Sequence, residues 1–198
     1  MELSEVRRRR RMVRRYDPDT PVPAEVLDRI LAAGLRVPSA GFTQAVSLLV
    51  LEGADTDRYW TVTTDPAAAP DAWLRGMRTA PVLVQVWTSA DAYLDRYAES
   101  DKGWTDRDPA RWTAPYWHVD AGMTALALLY AAVDEGLGAC FFGAPPRAVP
   151  MIRSTYAVPE DHDLVGVVSL GKPAGSPTRS RRERRPLKEL IHRGRWRE

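Results

Sequence analysis

The chain has 198 residues, 44% of them apolar, and its formal net charge is only +2. A chain of this length can bury about 70% of its unfolded surface in one domain, and no apolar run approaches the roughly 20 residues needed to cross a bilayer. The basic N-terminal run leads into YDPDTPVP, not into the apolar stretch of a signal peptide. We therefore expect one cytoplasmic domain over residues 1–198, and the single cysteine, Cys140, excludes an internal disulfide.

Positive charge is concentrated at the two ends of the chain. Residues 1–15 and 179–198 hold 16 of the 28 basic residues and five acids, a balance of +11, whereas the rest has 12 basic residues against 21 acids, a balance of −9. This split is typical either of basic arms that bind nucleic acid or of two chain ends that fold around one small anion. Apolar residues lie within both ends, at Leu3, Val6, Val13, Leu187, Leu190, Ile191 and Trp196. They favour folded segments over free arms.

The N-terminal elements follow from caps and apolar spacing. A first helix is predicted from Ser4, as N-cap, to Arg10, followed by an extended stretch over residues 12–16. A second helix is predicted to start near Pro23 and to end before Pro38. It carries an apolar stripe at Val26, Leu27, Ile30 and Leu31.

Four short apolar, β-branched runs further along the chain predict strands. They cover residues 46–52, 81–87, 138–143 and 163–171. Helical material is expected between the first two, and a short helix within 145–159. Residues 118–136 are too rich in small residues for a strand and predict a long buried helix that ends at Gly136. Helices and strands alternate irregularly around it, which indicates an α+β or mixed α/β fold.

Two glycine patterns do not form nucleotide sites. GVVSLGKP (166–173) resembles a phosphate loop, but Pro173 has neither the metal-binding hydroxyl nor the N–H that such a loop requires. GLGACF precedes a predicted strand instead of following one, unlike a dinucleotide-binding fingerprint. The histidines at 118, 162 and 192 show no metal-ligand spacing. No metal site is predicted.

Five motifs nevertheless occur in register along nearly the whole chain. They are RRMVRRY (10–16), PSAGFTQ (38–44), VDAGMTALALLYAAVDEGLGACFFG (119–143), DLVGVVSLGKP (163–173) and RERRPLKELIHRGRW (182–196). Their order and spacing resemble the FMN-dependent nitroreductase family. The resemblance implies a nitroreductase-like α+β fold, with a central mixed β-sheet flanked by helices and a long buried core helix. It also implies a domain-swapped-like homodimer with two FMN sites at its interface, each built from both subunits.

The resemblance assigns the basic motifs to the FMN phosphate and ribityl chain. The implied contacts are Arg10, Arg11, Arg14, Arg182 and Arg184, together with Met12, which stands where many members have serine. Guanidinium groups grip phosphate oxygens in bidentate, charge-assisted pairs that lysine does not reproduce. Arg7, Arg8, Arg9 and Arg15 are interpreted as a solvated face.

Two further motifs are implied to contact the flavin ring. The PSAGFTQ loop supplies polar contacts from the partner subunit, through Pro38, Ser39, Ala40 and Gln44, and Phe42 adds a flat apolar surface near the ring. Phe42 replaces a common asparagine, a variant shared with the relative that consumes its flavin to make dimethylbenzimidazole. In ACFFGAPP, the backbone of Phe142, Gly143 and Ala144 lies beside the ring, where an N–H stabilises negative charge on the reduced flavin.

The segment 91–117 is the least family-like part and is predicted to be a variable lid or insert. In the substrate-pocket hypothesis, Trp104, Trp112 and Trp117 close over Phe42 and select a flat acceptor. The alternative is that these tryptophans pack in the core or wrap the dimer.

The predicted function is an FMN-dependent NAD(P)H oxidoreductase that reduces a nitroaromatic or quinone-like acceptor by a ping-pong cycle. No catalytic side chain is predicted, because the flavin carries the chemistry. Two alternatives stay open. One is a flavin-consuming or redox-silent FMN-storage protein, and the other is a nucleic-acid-binding protein with basic arms.

Overall fold

The computed structural model describes residues 1–175 and 182–196. Within these residues it contains seven α-helices, four strands and short 3₁₀ turns. The helices are α1 (Leu3–Arg9), α2 (Ala24–Leu35), α3 (Ala54–Thr63), α4 (Ala72–Met77), α5 (Ala90–Ala98), α6 (Tyr116–Asp134) and α7 (Val149–Thr155). The strands are β1 (Val46–Glu52), β2 (Val82–Ser89), β3 (Gly138–Phe142) and β4 (His162–Gly171). The α+β class is confirmed.

The four strands form one sheet in the order β1-β2-β4-β3, and every neighbouring pair is antiparallel. The expected mixed sheet is therefore wrong for these strands. The consecutive strands β1 and β2, and likewise β3 and β4, pair antiparallel, and β2 also pairs antiparallel with β4. Among the described residues, the parallel pairing is a single bridge between Met12 and Ala139.

The central strand β2 is buried at every position, so both faces of the sheet are covered. Val82, Val84 and Val86 point towards α2 and α6. Leu83 and Trp87 point to the opposite face, into a cluster with residues of α3, α4 and α7. This alternation follows from the two-residue period of a strand and places two separate helical layers on the sheet.

Helix α6 is the predicted core helix, beginning two residues earlier than expected. Its C-cap is Glu135, and the chain then turns at Gly136, whose φ of 78° is accessible to glycine at little cost. One side of α6 buries Ala121, Leu128 and Ala132 against the sheet. The start of α1 differs from the prediction, since Glu2 and not Ser4 occupies the N-cap position.

The stretch after α1 is extended, as predicted, and pairs with β3 and with the residues that follow β4. The Val13 amide donates to the Ala139 carbonyl at 2.9 Å. The buried Tyr16 hydroxyl donates to the Val13 carbonyl and pairs with Ser169 Oγ, both at 2.7 Å. Burial raises the pKa of Tyr16 well above its usual value, so its hydroxyl remains protonated. Tyr16 thereby fastens the basic segment to the sheet.

Replacing Tyr16 with phenylalanine should lower the free energy of unfolding by about 1–2 kcal/mol, because the Val13 carbonyl loses its donor in a buried environment. Denaturant titration monitored by circular dichroism measures the change. Tyr97→Phe is the matched control, since its hydroxyl has no hydrogen bond within the described part of the chain. Equal stability of the Tyr16 variant and the wild type would contradict the anchoring role.

Candidate functional site

The arginines of the N-terminal run have different partners. Arg8 and Arg9 form ion pairs with Glu5, at 2.7 and 3.1 Å. Arg11 Nη1 donates to the carbonyls of Arg8 and Arg10, at 2.7 and 2.9 Å, and so satisfies acceptors at the end of α1. Three of the arginines are therefore engaged within or next to this helix.

Arg10 is the exception, because its guanidinium is half-buried and its Nη1 atom is fully buried without a hydrogen-bond partner. A buried donor left without a partner costs about 1–3 kcal/mol, more if charged. Such an atom is expected where an anionic ligand completes the site. This observation fits the phosphate of FMN.

Arg14 contacts α4 through its backbone. Its carbonyl packs on Gly76 so closely that a Cβ at position 76 would be 2.2 Å from the carbonyl oxygen. Its side chain is exposed. Burial raises the pKa of the Cys140 thiol, and the charge of Arg14 opposes that shift. Cys140 thus remains a protonated, buried residue.

A cleft of about 380 Å³ opens where β3 ends, between α3 and α4. Its walls include Trp60, Trp73, Phe142 and Gly143. Phe142 stacks on Trp60, with ring centroids 5.7 Å apart and ring planes at 11°. Trp73 contacts Phe142 edge-on, with ring centroids 5.6 Å apart. A side chain at position 143 would meet no atom within 4 Å, so the Gly143 backbone faces open space.

The cleft and the basic segment share α4 as a wall, because Trp73 lines the cleft and Gly76 holds the Arg14 carbonyl. Sequence reasoning missed Trp60, Trp73 and Gly76. The signal for the last two was a tryptophan and a glycine three positions apart, which share one face of a helix. Ala144, also a predicted contact, is packed at the edge of the cluster that contains Trp60.

The 38–44 loop is held by α5 and α6. The Ala40 amide donates to Asp120 Oδ2 at 2.8 Å, and Arg96 Nε donates to the Gly41 carbonyl at 2.9 Å. The Gln44 amide donates to Ser39 Oγ at 3.0 Å. Pro38 and Gln44 are exposed, and 73% of Phe42 is exposed.

One chain therefore keeps the predicted FMN contacts in two groups. The 38–44 loop is held by α5 and α6, whereas the Arg14 carbonyl and the Gly143 backbone lie on the side of α3 and α4. The sheet lies between these layers. Contacts that are implied to meet at one flavin are thus separated within a single subunit.

Arg182 and Arg184, the remaining predicted phosphate contacts, are exposed at the start of the C-terminal segment. The rest of that segment packs on itself. Arg185 pairs with Glu189 at 3.3 Å, and His192 stacks on Trp196 with ring centroids 4.0 Å apart. The roles of Arg182 and Arg184 stay predictions.

The tryptophans of the predicted lid pack against one another. Trp112 is the centre of the cluster, with ring contacts at 4.4 to 6.2 Å to Tyr93, Tyr97, Trp104, Tyr116 and Trp117. Phe42 makes none of the ring contacts found among the described residues, so the tryptophans do not close over it within one chain. The two hypotheses for the segment both remain predictions.

The lid also contains a helix, α5, that the sequence did not predict. Ser89 caps its first turn, and Arg107, from beyond its end, pairs with Asp91 and Asp95 at 3.1 Å. These partners are distant in sequence from Arg107.

Among the described residues, no three His, Cys, Asp or Glu side chains are grouped so that they could hold a metal ion, and no helix is long and apolar enough to cross a membrane.

A sequence model of the nitroreductase family matches residues 8–172. The Escherichia coli K12 protein "Putative NAD(P)H nitroreductase YdjA" is 27% identical over 159 residues, covering 77% of this chain and 79% of the relative. A Desulfovibrio desulfuricans structure described as a putative nitroreductase in complex with FMN aligns at a TM-score of 0.74 and 24% identity, over 99% and 98% of the chains. The structure described as nitroreductase CinD from Lactococcus lactis in complex with nicotinic acid aligns at a TM-score of 0.73 and 21% sequence identity, covering 90% of this chain and 95% of the CinD chain.

Truncating Trp112 should destabilise the protein, because its ring contacts five other aromatic side chains. Trp112→Ala is expected to lower the free energy of unfolding by about 3 kcal/mol. Trp196→Ala is the control, since Trp196 is 81% exposed and should change it little. Denaturant titration measures both. A Trp112 variant as stable as the wild type would show that the cluster is not a packing unit.

Proposed function

The chain belongs to the nitroreductase family, and on this premise we propose that it is a homodimeric, FMN-dependent oxidoreductase. It uses NAD(P)H to reduce an electron-poor acceptor, a nitroaromatic or a quinone-like molecule, in a ping-pong cycle. The buried, unpartnered Nη1 of Arg10 carries the proposal, because it is an unsatisfied cationic donor at the position where the family motif implies a phosphate.

Arg10, Arg11, Arg14 and Met12 would hold the phosphate and ribityl end, with Arg182 and Arg184 as further contacts. Tyr16 and Gly76 fix the backbone of this segment from two sides. Because the segment is fastened to the sheet, its arginines are largely ordered before the ligand arrives. Such preorganisation lowers the entropic cost of binding.

The end of β3 suits the ring of the flavin. Bound FMN would supply the redox chemistry, since it accepts hydride from NAD(P)H and passes electrons to an acceptor. The protein needs no acid or base for this, only a polar backbone and a flat apolar wall. Gly143 offers the exposed backbone, while Trp73 and Phe142 offer aromatic surface for stacking. An acceptor with a flat ring is therefore favoured over a small polar one.

The exposed side of α6 supports the homodimer. Apolar side chains that are exposed or half-buried recur at Tyr116, Val119, Met123, Leu126 and Tyr130. Spacings of three and four residues place them along one stripe, as in helices that pack against each other. The same helix holds the 38–44 loop through Asp120. Pairing two copies along α6 would carry each loop towards the other subunit.

A charge on this stripe should split the dimer. Leu126→Glu places an unpaired carboxylate in the proposed interface, where desolvation disfavours it, so we expect a monomer with weakened FMN binding. Leu126 is 43% exposed in one chain. Met151→Glu is the matched control, because Met151 is an equally apolar residue on α7 with 54% exposure. Light scattering measures the mass, and a dimeric Leu126 variant would contradict this interface.

The function is tested by titrating the flavin-free protein with FMN and then adding NAD(P)H without oxygen. The wild type should bind about one FMN per subunit, and NAD(P)H should bleach its yellow colour. Arg10→Ala should weaken FMN binding by about 2 kcal/mol, roughly thirtyfold in Kd, since a charge-assisted phosphate contact is lost. Flavin fluorescence measures Kd.

Arg8→Ala is the control, because Arg8 already pairs with Glu5, and its Kd should stay near that of the wild type. Equal losses of FMN affinity in Arg10→Ala and Arg8→Ala would mean that the N-terminal arginines act as a diffuse basic patch, as in the nucleic-acid alternative. A protein that binds FMN but is not reduced would favour the storage or flavin-consuming alternative. Absence of FMN binding would refute the proposal.

A further inference from the structure

Asp120 is the one aspartate or glutamate in residues 1–175 and 182–196 whose side chain is buried, with 2% exposure. It lies in the first part of α6, among apolar residues. No lysine, arginine or histidine forms an ion pair with it among those residues. A buried carboxylate is unfavourable unless its oxygens accept hydrogen bonds, so its two donors identify what it does.

One donor to Asp120 belongs to the 38–44 loop, and the other belongs to α5, which packs beside the loop. Asp120 Oδ2 accepts from the Ala40 amide at 2.8 Å and from the Tyr93 hydroxyl at 2.7 Å. Burial, together with the Asp120 hydrogen bond, raises the pKa of Tyr93 far above its usual value. Tyr93 therefore remains a donor throughout the ordinary pH range.

The loop needs such support because its backbone is strained. Phe42 and Gln44 both have φ near 55°, in the left-handed region that residues with a Cβ adopt at a cost of about 1 kcal/mol or more. Gly41 has φ of 62° and sits against the Tyr97 ring, where a Cβ would come within 2.6 Å. Strained conformations of this kind persist only where the surroundings fix them.

We propose that Asp120 and Tyr93 are positioning residues, which hold the 38–44 loop in the shape that contacts the FMN bound by the arginines of the other subunit. The proposal rests on the proposed function and adds to it the residues that set the loop. They act across the dimer because the loop is held at Asp120, near the start of α6, whereas α1, whose C-cap is Arg10, meets α6 near Asp134, about 20 Å further along the helix. Neither residue is expected to touch the flavin.

Tyr93→Phe removes the hydroxyl and keeps the ring, and Asp120→Asn removes the charge and keeps the size. Both should raise the FMN Kd at least tenfold in fluorescence titrations. Tyr156→Phe is the matched control, since it removes a hydroxyl that donates to the Asp55 carbonyl at 2.8 Å, far from the loop. Its Kd should stay within twofold of the wild type. Circular dichroism and light scattering establish that each variant is a folded dimer.

A mixed dimer separates positioning across the interface from a general loss of structure. Differently tagged Asp120→Asn and Arg10→Ala chains are co-expressed, and the heterodimer is purified. If the loop acts across the interface, one site combines an intact loop with intact arginines, and the other combines both defects. Half of the sites should then bind FMN with wild-type Kd.

Other results overturn the proposal in distinguishable ways. If the loop acts within its own subunit, each site of the mixed dimer has one defect and none binds with wild-type Kd. If Tyr93→Phe binds FMN like the wild type, the two residues do not position the loop, even if Asp120→Asn fails to fold. If the wild type itself does not bind FMN, the proposed function fails first.

Discussion

The burial of the central strand determines how the rest of this molecule is arranged. Since β2 exposes none of its eight residues, each face of the sheet must be covered by its own layer of helices. The layer of α2 and α6 covers the face with Val84, and the layer of α3, α4 and α7 covers the face with Leu83. The 38–44 loop, held by Asp120 of α6, and the Gly143 backbone, beside α3 and α4, are therefore presented on opposite faces of the sheet.

Charge alone does not identify the phosphate site, although the basic run is the most visible feature of the sequence. What distinguishes its arginines is the partner that each one has. Arg8 and Arg9 share an ion pair with Glu5, and Arg11 donates to backbone carbonyls, whereas Arg10 buries a donor that has no acceptor among the described residues. Exposed ion pairs contribute little to stability. The unsatisfied buried group is the one that requires an explanation.

Local patterns in the sequence were enough to predict most of the scaffold. The strands are short β-branched runs bounded by turn residues, and α6 is a long apolar stretch that ends at a glycine, so both follow from nearest neighbours in the chain. The strand order did not follow, because it depends on contacts between residues that are distant in the chain. The helix α5 does have a local signal, the N-cap at Ser89, which was not recognised in the sequence.

The candidate site was predicted only in part, because some of its contacts join residues that are distant in the chain. Its motifs could be matched residue by residue, but the stacking of Phe142 on Trp60 joins positions 82 residues apart, and Asp120 meets Ala40 across 80 residues. One clue was available without the structure. Asp120 is an isolated acid at the start of an otherwise apolar run, and such a residue is retained in a core only where donors satisfy it.

A site divided between two subunits makes cofactor binding and assembly depend on each other. A ligand that binds only the assembled dimer stabilises it, by about 2.7 kcal/mol when its concentration is a hundred times its Kd. The loop contributes to this stabilisation only if Phe42 and Gln44 already hold their left-handed conformation before the ligand arrives. Ordering the loop during binding would consume part of the binding free energy. Asp120 performs that ordering in advance: its carboxylate can accept from the Ala40 amide and the Tyr93 hydroxyl at once, whereas an apolar residue of the same size would leave both donors buried and unsatisfied. In the proposed dimer, the single buried acid of α6 thus links the interior of one subunit to the affinity of the site that the two subunits share.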